Sequence, residues 1–201
     1  MNFKDKCKTI AAGLLTVVAY TMLFFAFCPV PSEARDYNVD LIGHIEYNET
    51  AELICTSLSR GGTLTISSGG GSVSEMFKIA ECARELEVTI RLHKAASAAA
   101  ILTFATEGVC FTKDFKYFGL HSPANYNNGV ISYLTVLELR DFTIQIGTIM
   151  KMWGNSQRAI NEVALFNFIT PHDEIMWVRP NYLIVLLGDK YTGTCDDLPR
   201  T

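Results

Sequence analysis

Three things are scarce in this sequence, and each scarcity removes a class of function. Histidines number only four, and the six cysteines are scattered with no pair at a zinc-binding spacing, so no metal is expected. Basic residues are outnumbered, 17 against 21 acidic ones, for a net charge of −4. No stripe of lysine and arginine with interleaved aromatics appears, which disfavours nucleic-acid binding. Nothing resembles an adenine-binding patch either, and no cofactor is implied.

What is present begins with an apolar run. Lys4, Lys6 and Lys8 precede an uncharged, mostly apolar stretch over 9–27, and Ser32-Glu33-Ala34 offers the small residues that a signal peptidase reads. Residues 1–34 are expected to be a cleaved export signal. The alternative is a retained membrane anchor through residues 9–27, because such a helix spans about 28 Å, close to a hydrocarbon core. Either one puts residues 35–201 outside the cytoplasm, with a bacterial periplasm as the expected compartment. Bulky Phe25 and Phe27 argue against lipid attachment at Cys28. Beyond the signal, Cys55, Cys82, Cys110 and Cys195 remain. In an oxidising compartment they form one or two disulfides, with three complete connectivities open. Cys55 and Cys82 fall on apolar faces of predicted helices and read as buried structural thiols.

The chain is organised around the stretch from Thr63 to His121. A β-rich run, Thr63 to Ile66, leads into Ser67-Ser68-Gly69-Gly70-Gly71-Ser72-Val73, and an amphipathic run from Val73 to Leu86 follows. This spacing predicts strand, tight turn and helix, with Ser72 and Glu75 as a capping box. Val88 to Leu92 reads as a second buried strand, which makes a βαβ unit with parallel pairing. Glycines at such a junction leave backbone N–H groups uncovered, so the turn suits an anion or oxyanion. Taken alone, a glycine triplet is more often a plain βα turn.

The next signals change that balance. Ser97 lies in a run of very small residues, Ala95 to Ala100, expected to open a helix from about Ala96 to Thr106. Val109 to Thr112 and Tyr117 to Leu120 read as extended, and the second ends in Gly119-Leu120-His121-Ser122-Pro123. Each residue has a bland explanation. Ser97 can be a small packing residue, and His121 a half-buried polar strand end. His93, which ends the second strand, competes with His121 as a base.

The order of glycine turn, serine in an alanine-rich helix start and histidine before proline resembles the Clp protease proteolytic subunit and its relatives, most of all the exported members of the Clp/crotonase superfamily. The resemblance covers about 40–189 and is strongest over 63–123, with Gly69 standing where the family usually has proline. It implies an α/β fold, a Clp/crotonase-like spiral of strand-strand-helix units with a C-terminal helical extension. It implies Ser97 as nucleophile and His121 as base, with the backbone N–H groups of Gly70 and Ala98 as oxyanion hole. It implies a peptide or unfolded protein as substrate, and a homo-oligomer joined through a helical handle at about 130–168. The apolar circumference of a predicted helix from Val130 to Trp153 agrees with burial against another subunit. Further helices are expected to about Phe168 and over Pro180 to Leu187.

The third catalytic member is where the resemblance weakens. Thr170 falls at the position of the family's aspartate. Asp173 is the nearby candidate, although Thr170-Pro171-His172-Asp173 reads equally well as a capped helical turn. A Ser–His dyad, a catalytically inactive scaffold of the same fold, and a crotonase-like acyl-CoA enzyme stand as alternatives. Export disfavours the last, since coenzyme A is a cytosolic ligand.

Overall fold

The computed structural model describes residues 38–127 and 130–195. The expected signal or anchor over 1–34 lies outside them. Among the described residues no helix is long and apolar enough to cross a membrane.

Five parallel strands lie in the order β1 (Asn38–Ile45), β2 (Thr63–Gly71), β3 (Thr89–Ala96), β4 (Gly108–Phe111) and β9 (Tyr191–Thr194). Crossovers run through helices α1 (Thr50–Ser57), α2 (Val73–Glu85) and the short α3 (Ala98–Leu102). Parallel strands covered on their faces need apolar side chains on both sides. Leu64, Ile66, Ile90 and Leu92 are accordingly fully buried, with Met76 and Ile79 of α2 over them.

The strands run further than their apolar stretches suggested. β2 continues through the glycines because β1 keeps pairing with it, His44 opposite Gly70 and Ile45 opposite Gly71. β3 continues to Ala96 because it changes partner part-way. Its first half pairs with β4, ending at Leu92 opposite Phe111, and its second half pairs with β5 (Tyr117–Leu120), Ala96 opposite Gly119. This fork turns the sheet into a spiral and brings the ends of β3 and β5 together.

Past the spiral, the expected helix from Val130 is shorter than its apolar pattern. The segment starts instead as a hairpin of β6 (Ala124–Asn127) and β7 (Val130–Tyr133), and α4 (Val136–Met152) begins only at Thr135. Two forces set that boundary. Val130, Ile131 and Tyr133 favour extended chain, and Thr135 with Glu138 forms a complete capping box that fixes the helix start. The stretch expected to form a handle thus holds two helices, α4 and α5 (Gln157–Ile169), preceded by a strand. β8 (Met176–Val178), which pairs antiparallel with β5, and β9 had no sequence signal of their own; α6 (Pro180–Leu187) stands as expected.

Buried charge joins these parts. Ser72 caps α2 as predicted, but the Glu75 carboxylate goes elsewhere: it accepts the Ala51 N–H at 3.0 Å and Lys78 Nζ at 2.7 Å. The Lys78 bond, foremost, holds the Glu75 carboxyl below its ordinary pKa. Lys190, between α6 and β9, is buried and donates to the carbonyls of Trp153 at 2.7 Å, Thr106 at 3.1 Å and Phe104 at 3.3 Å. Burial pushes its pKa down, so these carbonyls must compensate for lost hydration. They are the loop after α3 and the end of α4, which one ammonium thus ties to the last strand.

Cys55 and Cys82 are not free thiols. They form a disulfide between α1 and α2, and Cys110 pairs with Cys195 to join β4 to the residue after β9. Apolar faces and disulfide pairing look alike in one sequence, because facing helices bring their apolar sides together. A non-reducing peptide map should recover Cys55–Cys82 and Cys110–Cys195 and no other pairing. Reduction should lower unfolding stability by about 3–5 kcal/mol for each loop opened, read by urea denaturation; unchanged stability would contradict the pairings.

Candidate active site

Ser97 sits between β3 and α3, not inside a helix as its alanine-rich setting suggested. Its N–H continues the β3–β5 ladder to Gly119 O at 3.0 Å, and its carbonyl accepts from Ala100 N–H at 3.0 Å and Ile101 N–H at 3.3 Å. Strand on one side and helix on the other force the residue to φ 56°, ψ −130°. That conformation costs a residue with a Cβ on the order of 1–3 kcal/mol, and such strain concentrates at functional sites. In the run from Ala95 to Thr106 every residue is buried except Ser97. The sharp turn thus leaves Ser97 half-buried in an otherwise closed layer of small side chains.

The glycine turn lies directly against it. At Gly70, with φ +97°, an added Cβ would stand 2.5 Å from Ser97 Cβ, 2.7 Å from Ala96 O and 3.0 Å from Ala98 N. Only glycine allows this approach. Gly71, at φ +139°, faces the other way along β1, where a Cβ would collide with Ile45 O and lie 2.8 Å from His44 Cε1. At Gly69 a Cβ meets nothing within 4 Å.

The two expected oxyanion donors differ in readiness. Ala98 opens α3, at a position where a helix leaves its N–H without an intrahelical partner. The Gly70 N–H donates to Ser68 Oγ at 3.0 Å, and that hydroxyl donates in turn to Gly43 O at 2.7 Å. To receive an oxyanion, Gly70 must exchange the Ser68 oxygen for it.

His121 follows β5, which pairs with the end of β3. Its Nδ1 lies 2.7 Å from Ser122 O. A carbonyl only accepts, so Nδ1 carries the proton and Nε2 is left as the basic nitrogen. Ser122 is itself fixed, its N–H donating to Thr170 O at 2.9 Å. Burial holds the His121 pKa below its ordinary value, against the opposing Ser122 bond, and the neighbouring His172 adds to the lowering. At neutral pH the imidazole is uncharged. Among the described residues no hydrogen bond joins Ser97 to His121.

The remaining candidates are dispersed. His93 is engaged elsewhere, its Nδ1 3.2 Å from Asp114 Oδ1 and 3.4 Å from Thr112 Oγ1. Asp173 is exposed, and no hydrogen bond or ion pair connects it to His121 among the described residues. Thr170 is buried, and its Oγ1 has no hydrogen-bond partner. The orienting group at His121 Nδ1 is therefore a main-chain carbonyl, which no side-chain pattern announces. No group of three or more His, Cys, Asp or Glu residues among the described residues is placed to hold a metal.

No protein-family model matches the sequence, and no curated protein sequence matches it. Solved structures do. ClpP1 from Listeria monocytogenes superposes with a TM-score of 0.60 at 16% identity, over 80% of this chain and 94% of that one. A membrane-bound stomatin-specific protease, 1510-N, gives 0.55 at 12% identity, over 80% of this chain and 79% of the other. At such identities the likeness is one of architecture, and the fold of this chain is the ClpP-like α/β fold.

Proposed function

We propose that this protein is an exported serine peptidase of the Clp type, acting on short peptides or already unfolded chains. The observation that carries the reading is the strained, half-buried Ser97 pressed against Gly70. Both solved structures named above are of proteases or their subunits, which supports the reaction class.

In this reading, Ser97 Oγ attacks the acyl carbon and its proton passes to His121 Nε2. The carbonyl oxygen, now negative, is held by the Ala98 and Gly70 N–H groups. Collapse of the intermediate breaks the C–N bond, and His121 gives its proton to the leaving amine. Water then attacks the acyl-serine by the same route in reverse roles. The Ser122 carbonyl keeps the proton on Nδ1 throughout and stabilises the imidazolium, which is the task of the acid in a triad. Asp173 has no part in it.

Export is supported by the N-terminal pattern of basic flank, apolar run and small residues, and by two disulfides, which persist in oxidising compartments. Attachment to a membrane through residues 9–27 is the alternative ending of the same signal. A homo-oligomer is supported by the apolar side chains left in solvent on the handle, among them Val136, Leu137 and Ile144, all at least 60% exposed.

A second reading, an inactive scaffold of the same fold, is favoured by the Gly70 N–H being spent on Ser68. A fluorophosphonate probe separates the two. The probe should label Ser97, located by mass spectrometry. Ser97→Ala and His121→Ala should abolish labelling, while Asp173→Asn should keep it within about threefold, in line with its exposed position. No labelling of folded, assembled protein would favour the scaffold. Gly70→Ala keeps the N–H but drives a Cβ into Ser97 Cβ and Ala96 O, so it should slow labelling and also destabilise the fold by on the order of 1–3 kcal/mol in urea denaturation.

A further inference from the structure

The sheet ends on one side in a long strand with an open edge. β1 pairs only with β2, and its eight residues run from Asn38 to Ile45 without a lysine or a proline. Edge strands are usually short, or carry such residues against pairing with another chain. The carbonyls of Gly43 and Ile45 turn inward, accepting from the Ser68 hydroxyl at 2.7 Å and the Ser72 N–H at 2.8 Å. Main-chain groups alternate in direction along a strand, so those of Asp40, Ile42 and His44 face outward. The register shift beside Gly43 leaves this alternation intact, since the extra residue, Gly69, belongs to β2. Side chains alternate too: Leu41 and Ile45 are buried, while Asp40, Ile42 and His44 are exposed, Ile42 by 71%.

We propose that the free edge of β1 is the docking surface for a second copy of this chain, the two β1 strands pairing antiparallel across a two-fold axis at Ile42. The proposal does not depend on the peptidase reading, and the surface is separate from the apolar side chains of α4.

The order of three residues makes this edge complementary to itself. About an axis at Ile42, that residue lies opposite its own copy, and Asp40 lies opposite His44 on both sides of the axis. These are the residues whose main-chain groups point outward, so each opposed pair can exchange two N–H to carbonyl bonds. The facing side chains are then one apolar pair flanked by two pairs of carboxylate acceptor and imidazole donor. Leu53 extends the match into the helical layer. On α1 it lies about 160° around the helix from Cys55, which is bonded to Cys82 of α2. Leu53 therefore points away from α2, toward the open side of β1, and it is 68% exposed. An interface of this kind is isologous and closes at two copies. Because the strands run antiparallel, the carboxyl ends of the two sheets, each with its Ser97, open in opposite directions.

The test uses the full chain carrying Leu137→Lys, which charges an exposed position of α4 so that association there does not mask the edge. Ile42→Cys sets two thiols across the axis, where hydrogen-bonded partners have Cα atoms about 5.5 Å apart, within reach of a disulfide. Mild oxidation should give a covalent dimer, with a 42–42 link recovered by non-reducing peptide mapping. Asn38→Cys, on the same edge but opposite Glu46 of the second copy, should give almost none. Sedimentation equilibrium reads the charges. His44→Asp sets carboxylate against carboxylate twice and should weaken dimerisation by about fivefold or more; adding Asp40→Lys reverses the pair and should restore it. All of these positions are exposed, and circular dichroism checks that the fold stands. No cross-link at Ile42→Cys, equal cross-linking at Ile42→Cys and Asn38→Cys, or a dimer indifferent to the charge series overturns the proposal. A chain that turns monomeric with Leu137→Lys alone would leave α4 as the contact, and overturns it as well.

Discussion

The contact between Gly70 and Ser97 is the constraint on which the rest of the structure depends. A strand end, a turn and a second strand end must meet with room for no more than a hydrogen atom, and several distant choices serve that meeting. β1 keeps its pairing through the glycines. The residues on either side of Ser97 are alanines, buried to within a few per cent. The fork of β3 between β4 and β5 holds the Ser97 N–H in a ladder while its carbonyl starts a helix. A strained conformation persists only when its surroundings over-determine it, and here both sides of the residue are anchored in regular structure.

The site is electrically quiet. The nearest carboxylate candidate, Asp173, stays in solvent, and a carbonyl sets the tautomer of His121. A neutral acceptor stabilises an imidazolium less than a carboxylate does, so His121 is held the more readily in its neutral form. The ions that the protein does bury are structural. Glu75 holds the start of α1 to α2, and Lys190 gathers carbonyls from separate elements. Buried charge is thus placed where separate elements of the spiral must be joined.

Much of this was legible in the chain because local chemistry and global fold agree there. Glycines that tolerate positive φ, a serine among alanines and a histidine before Ser122-Pro123 each announce a backbone requirement. What escaped were features made by tertiary contact. Val130 to Tyr133 carries the apolar character of the helix that follows, and only the Thr135 cap divides them. β8 has three residues and exists because Gly119 leaves space beside Trp177 and Ile175. The apolar faces of Cys55 and Cys82 gave no hint that they face each other. The Ser122 carbonyl is invisible in principle, since every residue has one.

The covalent link between Cys110 and Cys195 bears on how the protein withstands proteolysis. It encloses β5, β6, β7, α4, α5, β8 and α6 in a single closed loop. Any one backbone cut inside that loop produces two chains but still one molecule, with β9 held beside β4 and Lys190 only a few residues from the bond. A nick in the exposed strand β7, for instance, frees no fragment to diffuse away.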